Sequence, residues 1–105
     1  MKFVEMDCPG VWLIEPEVFT DNRCAFRRHF CTEEFARHGL SPTVAQGNIS
    51  ENHAFGTLRG FHYQQGPHAE AKTISCMTGS IYDVVIDLRR SSPTFLQWKS
   101  AEISA

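Results

Sequence analysis

The chain has 105 residues, of which 42% are hydrophobic and 21% charged, and its formal net charge is −2. This length allows one domain, over residues 1–105, that buries about two-thirds of its unfolded surface, and the composition is globular rather than disordered or fibrous. Mild acidity without an arginine-rich stripe argues against nucleic acid as a partner.

The N-terminus and the cysteines bear on where the protein resides. Glu5 places an acid where a signal peptide needs an apolar core, and no apolar run reaches membrane-spanning length. The four cysteines have no CxxC spacing, which gives no support to a zinc ribbon or a thioredoxin-like site. We therefore expect a cytoplasmic protein, without a membrane partner, whose thiols are reduced and mostly buried.

The first forty residues predict a strand, a turn and a helix in that order. Residues 10–18 contain an apolar run ended by a proline, which is typical of a strand that leads into a bend. Asp21-Asn22 supplies turn chemistry. A short helix is predicted over 33–38, because Thr32 can cap it, its first turn is acidic and Gly39 can terminate it.

The rest of the sequence has a β pattern, punctuated by glycine and proline. Five strands are predicted there: 44–50, 57–64, 72–77, 80–88 and 95–104. Short strands at this spacing indicate an all-β sandwich or barrel. If Gly66-Pro67 forms the tip of a hairpin, His62 faces Lys72 across the pair.

Two segments carry a specific family signal: TLRGFHYQ at 57–64, and GSIYDVVIDLR at 79–89 with SPTF at 92–95 and QW at 97–98. Weaker similarity lies at 15–23 and 46–50. Together they resemble the dTDP-4-dehydrorhamnose 3,5-epimerase family of cupin-type sugar-nucleotide epimerases. The resemblance implies an all-β, cupin-like jelly-roll (double-stranded β-helix) with one short helix, truncated at the C-terminus and therefore incomplete.

The activity of that family requires a base, an enolate stabiliser and an acid. The base removes a proton next to the C4 ketone of a dTDP-4-keto-6-deoxyhexose, and the acid returns one from the opposite face. His62 fits the base, since the ordinary histidine pKa of about 6.5 leaves a large neutral fraction at neutral pH. Lys72 matches a family lysine with a substrate-site role and fits the enolate stabiliser.

The resemblance also implies a set of substrate ligands, in which arginine suits the diphosphate. The matching positions are Arg23, Gln46, Asn48 and Arg59. Phe19 or Phe26 is expected to stack on the thymine base, although aromatic residues are more often core. Arg59 has an alternative as a strand residue paired with an aspartate of 80–88. A bulge at Gly60 would place Arg59 and His62 on one face of their strand.

The sequence also departs from the family. The family's proton-donating tyrosine, its base-orienting carboxylate and a second histidine all lie beyond the point that matches Ala105. Asp83 or Asp87 would have to replace that carboxylate. Cys24, Arg28 and Ile49 stand where the family commonly has Gly, Glu and His. The alternative function is therefore a non-catalytic sugar-nucleotide-binding or assembly module that lacks the acid, or a fragment without function.

No metal and no cofactor are expected. Many cupins bind a metal through a His-x-His pair, but here Gln64 stands two residues after His62, and His53 and His68 lie in predicted loops. An incomplete barrel leaves strand edges and apolar faces open. We therefore expect a homodimer or a higher oligomer.

Overall fold

The computed structural model describes every residue from 1 to 105. The chain divides into two compact units, the first made of Met1–Cys31 and Thr73–Ala105 and the second of Thr32–Lys72. Its helices are too short and too polar to cross a membrane.

The N-terminal part of the first unit consists of two antiparallel hairpins. Strands β1 (Lys2–Glu5) and β2 (Trp12–Glu15) pair with Phe3 opposite Ile14. Strand β2 confirms the strand predicted within 10–18, and it ends at the residue before the proline, which has no N–H to donate to a ladder. Strands β3 (Val18–Thr20) and β4 (Ala25–Arg27) form the second hairpin.

The C-terminal part of the first unit is a longer antiparallel pair. Strand β5 covers Ser80–Ile86 and β6 covers Trp98–Ser104, which confirms the strands predicted at 80–88 and 95–104 over these shorter ranges. Ile81 lies opposite Ile103, and Tyr82 donates its hydroxyl to Ser100 Oγ across the ladder at 2.8 Å. Both strands form because each supplies the hydrogen-bonding partner of the other.

A buried carboxylate anchors the loop that follows β5. Asp87 has a side chain that is 0% exposed, and it accepts hydrogen bonds from Arg89, Ser92 and Thr94 at 2.6 to 2.9 Å. Arg89 also donates from Nη2 to the carbonyl oxygen of Pro9 at 2.8 Å. Buried charge is tolerated when it is paired and hydrogen-bonded in this way. The cluster thereby ties the β1–β2 loop to the end of β5.

The second unit contains helix α1, Thr32–Arg37. The predicted helix is confirmed to within one residue at each end, with Thr32 as its first helical residue. Gly39 ends it as expected: its φ is +68°, in the left-handed region that glycine tolerates, and the N–H of Leu40 returns to the carbonyl of Phe35. Phe35, 3% exposed, is the buried residue of the helix.

Three predicted strands in the central segment are wrong. Residues 44–50, 57–64 and 72–77 form no strand, and Gly66–His68 is a 3-10 turn rather than the tip of a hairpin. The predicted pairing of His62 with Lys72 and the predicted bulge at Gly60 are therefore wrong too. A strand is held by a ladder to a neighbour, and none of these segments pairs with a strand in this chain.

Apolar side chains are widely exposed. Cys8 and Phe35 are the buried hydrophobic residues, so the expectation of mostly buried thiols is wrong for Cys24, Cys31 and Cys76. The accessible surface is 9003 Å². A folded monomer of this mass exposes about 5,900 Å², and two separate globules of the sizes of the two units about 7,100 Å². The chain therefore exposes far more surface than a self-sufficient monomer of its size.

Candidate functional site

The candidate residues divide between the two units. Phe19, Phe26 and Arg23 belong to the first unit, on the β3–β4 hairpin. The second unit contains the rest: Gln46, Asn48, Arg59, His62 and Lys72. Each group has a local geometry of its own.

The β3–β4 hairpin forms a shallow depression with aromatic walls. Phe19 and Phe26 lie directly opposite each other in the ladder, so their side chains share one face, and both are more than half exposed. Together with Arg23 and Cys24 they line a depression of about 230 Å³. Two exposed rings beside a guanidinium suit a planar base that carries phosphates, since rings stack and arginine binds phosphate.

Arg23 is held by the turn that carries it. Asp21 Oδ2 accepts from Arg23 Nη2 at 2.8 Å and from Nε at 3.3 Å, while Oδ1 accepts the backbone N–H groups of Arg23 and Cys24 at 2.8 and 3.1 Å. The turn predicted at Asp21-Asn22 is confirmed in this form. The side-chain hydrogen bond from Arg23, and then the two backbone donors, lower the pKa of Asp21 below its ordinary value.

Arg59 contacts the stretch that holds the predicted amide ligands. It donates a hydrogen bond from Nη1 to Ser50 Oγ. Gln46 and Asn48 lie exposed in the irregular stretch just before Ser50. The contact therefore brings Arg59 next to the stretch that holds Gln46 and Asn48. The partner of Arg59 is a serine, whereas the alternative interpretation of the sequence gave it an aspartate of 80–88.

His62 is exposed and lies outside any strand. Gly60, two residues earlier, has a φ of +120°, a conformation that a residue with a Cβ rarely adopts. Because the backbone here is irregular, the alternation of side chains along a strand does not decide which way Arg59 and His62 face. Glycine instead permits the backbone conformation that precedes His62.

Lys72 is ion-paired. Its Nζ lies 2.9 Å from Glu70 Oε1, and both side chains are 46% exposed. A half-exposed pair of this kind contributes little to stability, about 0 to 1 kcal/mol. The pair does place the negative charge of Glu70 beside the Lys72 ammonium group, which the family resemblance predicts to stabilise the enolate.

Asp87 has no capacity left to orient a histidine. Its two oxygens accept from the Arg89 guanidinium, the Arg89 backbone N–H and two hydroxyls, and the Cys8 thiol lies 3.9 Å away. The guanidinium, with the two hydroxyls, holds the pKa of Asp87 far below its ordinary value, and the same carboxylate raises the pKa of Arg89. Asp87 is therefore a structural anchor and does not replace the family's base-orienting carboxylate.

The partners of the candidate residues are the part that sequence reasoning missed. Ser50 was not expected to bind Arg59, nor Glu70 to pair with Lys72. For the pair of Glu70 and Lys72 a signal exists, because opposite charges two residues apart in a stretch without regular structure can meet. The sequence offered no such signal for Ser50. No group of three or more His, Cys, Asp or Glu side chains is arranged to hold a metal.

Comparison with known proteins places this chain in a class and then in a family. A crystal structure of dTDP-4-dehydrorhamnose 3,5-epimerase from Elizabethkingia anophelis NUHP1 superposes with a TM-score of 0.93 at 40% identity, covering 100% of this chain and 57% of that chain. The corresponding enzyme from Bacillus anthracis str. Ames, with TDP and PPi bound, gives 0.93 at 38% identity, covering 99% and 59%. The fold is therefore of the cupin class, built of strands with one short helix.

The sequence comparison names the family. The sequence model described as dTDP-4-dehydrorhamnose 3,5-epimerase matches residues 5–105. The enzyme of Mycobacterium tuberculosis (strain CDC 1551 / Oshkosh) is 44% identical over 101 residues, which are 95% of this chain and 50% of that protein. The enzyme of Shigella flexneri is 38% identical over 106 residues, 58% of its length. The chain belongs to the dTDP-4-dehydrorhamnose 3,5-epimerase family and spans about half the length of these relatives.

Proposed function

We propose that this chain binds a dTDP-linked 4-keto-6-deoxyhexose and removes a proton next to its ketone. The observation that carries the proposal is the family match over residues 5–105, which includes the segment with Arg59 and His62. The aromatic depression beside Arg23 supports it, since its chemistry suits a nucleoside diphosphate. The Bacillus anthracis relative was crystallised with TDP and PPi.

In the proposed reaction His62 acts as the base. It takes a proton from C3 or C5, the carbons that flank the C4 ketone, and the electron pair of the broken C–H bond forms the enolate. Lys72 stabilises the enolate oxygen through its positive charge. A proton returned to the same face restores the substrate, and one delivered to the opposite face by an acid gives the epimer. Gln46, Asn48 and Arg59 orient the sugar nucleotide.

Solvent deuterium exchange tests this proposal directly. Proton NMR of dTDP-4-keto-6-deoxyglucose in heavy water reports loss of the C3 or C5 signal when the carbon exchanges its proton. We expect exchange with the unaltered chain and none with His62→Ala. His53→Ala is the matched control, because His53 is an exposed histidine of the same irregular segment. Equal exchange by both variants would exclude His62 as the base.

One observation favours the alternative of a binding or assembly module. The ion pair between Glu70 and Lys72 partly neutralises the group that has to stabilise the enolate. A module of this kind binds TDP but exchanges no proton at either carbon. Broadening of the nucleotide signals in the same NMR experiment detects that binding, so one sample separates the enzyme from the module.

The exposed surface supports a homodimer or a higher oligomer as the working form. The excess over two separate globules of the sizes of the two units is about 1,900 Å², so a dimer that covered it would bury about 3,800 Å² in total. Interfaces of that size are typical of obligate complexes. Apolar side chains exposed along the central segment, such as Phe55 and Leu58, are the groups that such an interface would cover. We place the assembled protein in the cytoplasm.

A further inference from the structure

Asp21 performs two tasks with its two oxygens. It opens the four-residue loop 21–24 that joins β3 to β4. Oδ1 fixes the loop backbone, since it accepts the N–H groups of Arg23 and Cys24 at 2.8 and 3.1 Å. Oδ2 fixes a side chain, since it accepts Arg23 Nη2 at 2.8 Å and Nε at 3.3 Å. The backbone of Arg23 and its guanidinium are thus held by one carboxylate.

This arrangement leaves a defined part of the guanidinium available. Nε and one N–H of Nη2 face the carboxylate, so the donors on Nη1 and on the outer side of Nη2 point away from it. Those donors lie in one plane and match two oxygens of a phosphate group. Without Asp21, an arginine side chain that is 80% exposed would sample many rotamers.

The oriented guanidinium of Arg23 lies at the aromatic depression, where it can contact a bound phosphate. Asp21 and Arg23 line the same depression as Phe19 and Phe26. A nucleoside diphosphate whose base contacts the rings would place its phosphates beside the guanidinium. The ordinary pKa of an aspartate already keeps this carboxylate ionised at neutral pH, and its hydrogen bonds from Arg23 and the loop backbone lower that pKa further.

We propose that Asp21 is a positioning residue for the nucleoside diphosphate, which it serves by holding the Arg23 guanidinium toward the phosphates at the aromatic depression. The inference rests on the proposed function, since it deepens the role given there to Arg23. Asp21 itself does not touch the ligand. Its negative charge even repels phosphate, so a purely electrostatic view predicts the opposite effect of removing it.

Asp21→Asn separates the two tasks. The amide oxygen of asparagine still accepts the loop N–H groups, while its NH2 group, a donor, no longer holds the guanidinium. Titration of TDP should show binding about two- to fivefold weaker, the range that an exposed ion pair is worth. Inorganic pyrophosphate should show the same loss, and thymidine, which has no phosphate, should show none.

The double variant decides whether Asp21 acts through Arg23. In an Arg23→Ala background, Asp21→Asn should cause no further loss, because there is no guanidinium left to position. An equal loss in both backgrounds, or tighter binding by Asp21→Asn alone, would overturn the inference. Glu15→Gln is the matched control: it removes another surface carboxylate, ion-paired with Lys2 at 3.0 Å, and should leave TDP binding unchanged.

Failure of the proposed function gives a different result. If the unaltered chain binds neither TDP nor pyrophosphate, or if Arg23→Ala binds TDP as well as the unaltered chain, then the ligand role of Arg23 is wrong and the role of Asp21 falls with it. If Arg23→Ala weakens binding while Asp21→Asn does not, the ligand role stands and only the positioning role of Asp21 is refuted. Circular dichroism spectra of all variants check that the hairpins are retained.

Discussion

Dilution should lower the thermal stability of this protein. The chain exposes 9003 Å² of surface, whereas two separate globules of the sizes of its two units expose about 7,100 Å². If a second copy covers the excess, folding and association are one event, and obligate dimers of this kind often have no stable folded monomer. The midpoint of unfolding then depends on protein concentration.

The size of the shift follows from the length of the chain. Unfolding absorbs about 0.7 kcal/mol per residue near 60 °C, which amounts to about 150 kcal/mol for a dimer of this protein. Each tenfold dilution should therefore lower the melting temperature by about 3 to 4 °C, and a hundredfold dilution by about 7 °C. Tryptophan fluorescence during heating, over a hundredfold range of concentration, measures this shift.

A matched pair of variants ties the effect to the exposed apolar surface. Leu58→Lys introduces a charge at an apolar side chain that is 95% exposed in the single chain, and Asn52→Lys introduces the same charge at an exposed polar residue of the same segment. The first variant should dissociate at higher concentration than the second. A melting temperature independent of concentration, together with the mass of a monomer in sedimentation equilibrium, would refute the reasoning.

Three further predictions concern single side chains. Asp87 has a folded-state pKa below its ordinary 3.8, so its contribution to the free energy of unfolding is present above pH 4 and is lost as the pH falls further. In Asp87→Asn the free energy of unfolding should therefore depend less on pH below pH 4, as measured by acid unfolding. Glu70→Gln should free Lys72 and speed deuterium exchange into the substrate severalfold, measured by NMR, whereas an unchanged rate would make the ion pair irrelevant. Phe35→Ala should cost about 3 kcal/mol in urea unfolding and Phe55→Ala, at a fully exposed position, almost nothing; equal effects would contradict the assigned burial.

The sequence predicted helix α1 and strands β2, β5 and β6, but it missed β1, β3 and β4. Helix α1 carries its own start and stop signals, and its last turn is closed by Gly39. Strands β5 and β6 were predicted correctly because each has its pairing partner within the chain, and together they form an antiparallel ladder. The residue patterns at 44–50 and 57–64 are equally typical of strands. However, β propensity reflects how well a residue fits a paired sheet surface. These segments form no strand because no strand of this chain pairs with them.

The candidate site divides in the same way. The residue types were recognisable from the motif at 57–64, which named Arg59 and His62. Their local environment was not, because it depends on neighbours such as Ser50 that no motif marks. Asp21 was predicted only in part. Its role in the turn was apparent from the sequence, but its hydrogen bonds to the Arg23 guanidinium became visible only in the structure.

The link between Arg89 and Pro9 also sets the order in which this protein can mature. It joins positions 80 residues apart, so the first unit cannot close until most of the chain has been synthesised. At about 5 to 20 residues per second, translation needs roughly 4 to 16 s to add those residues. During that time the β1–β2 loop lacks the C-terminal residues that anchor it, and Cys8, which is buried in the folded chain beside Asp87, stays accessible to solvent. Burial of Cys8 and closure of the first unit therefore come late in synthesis.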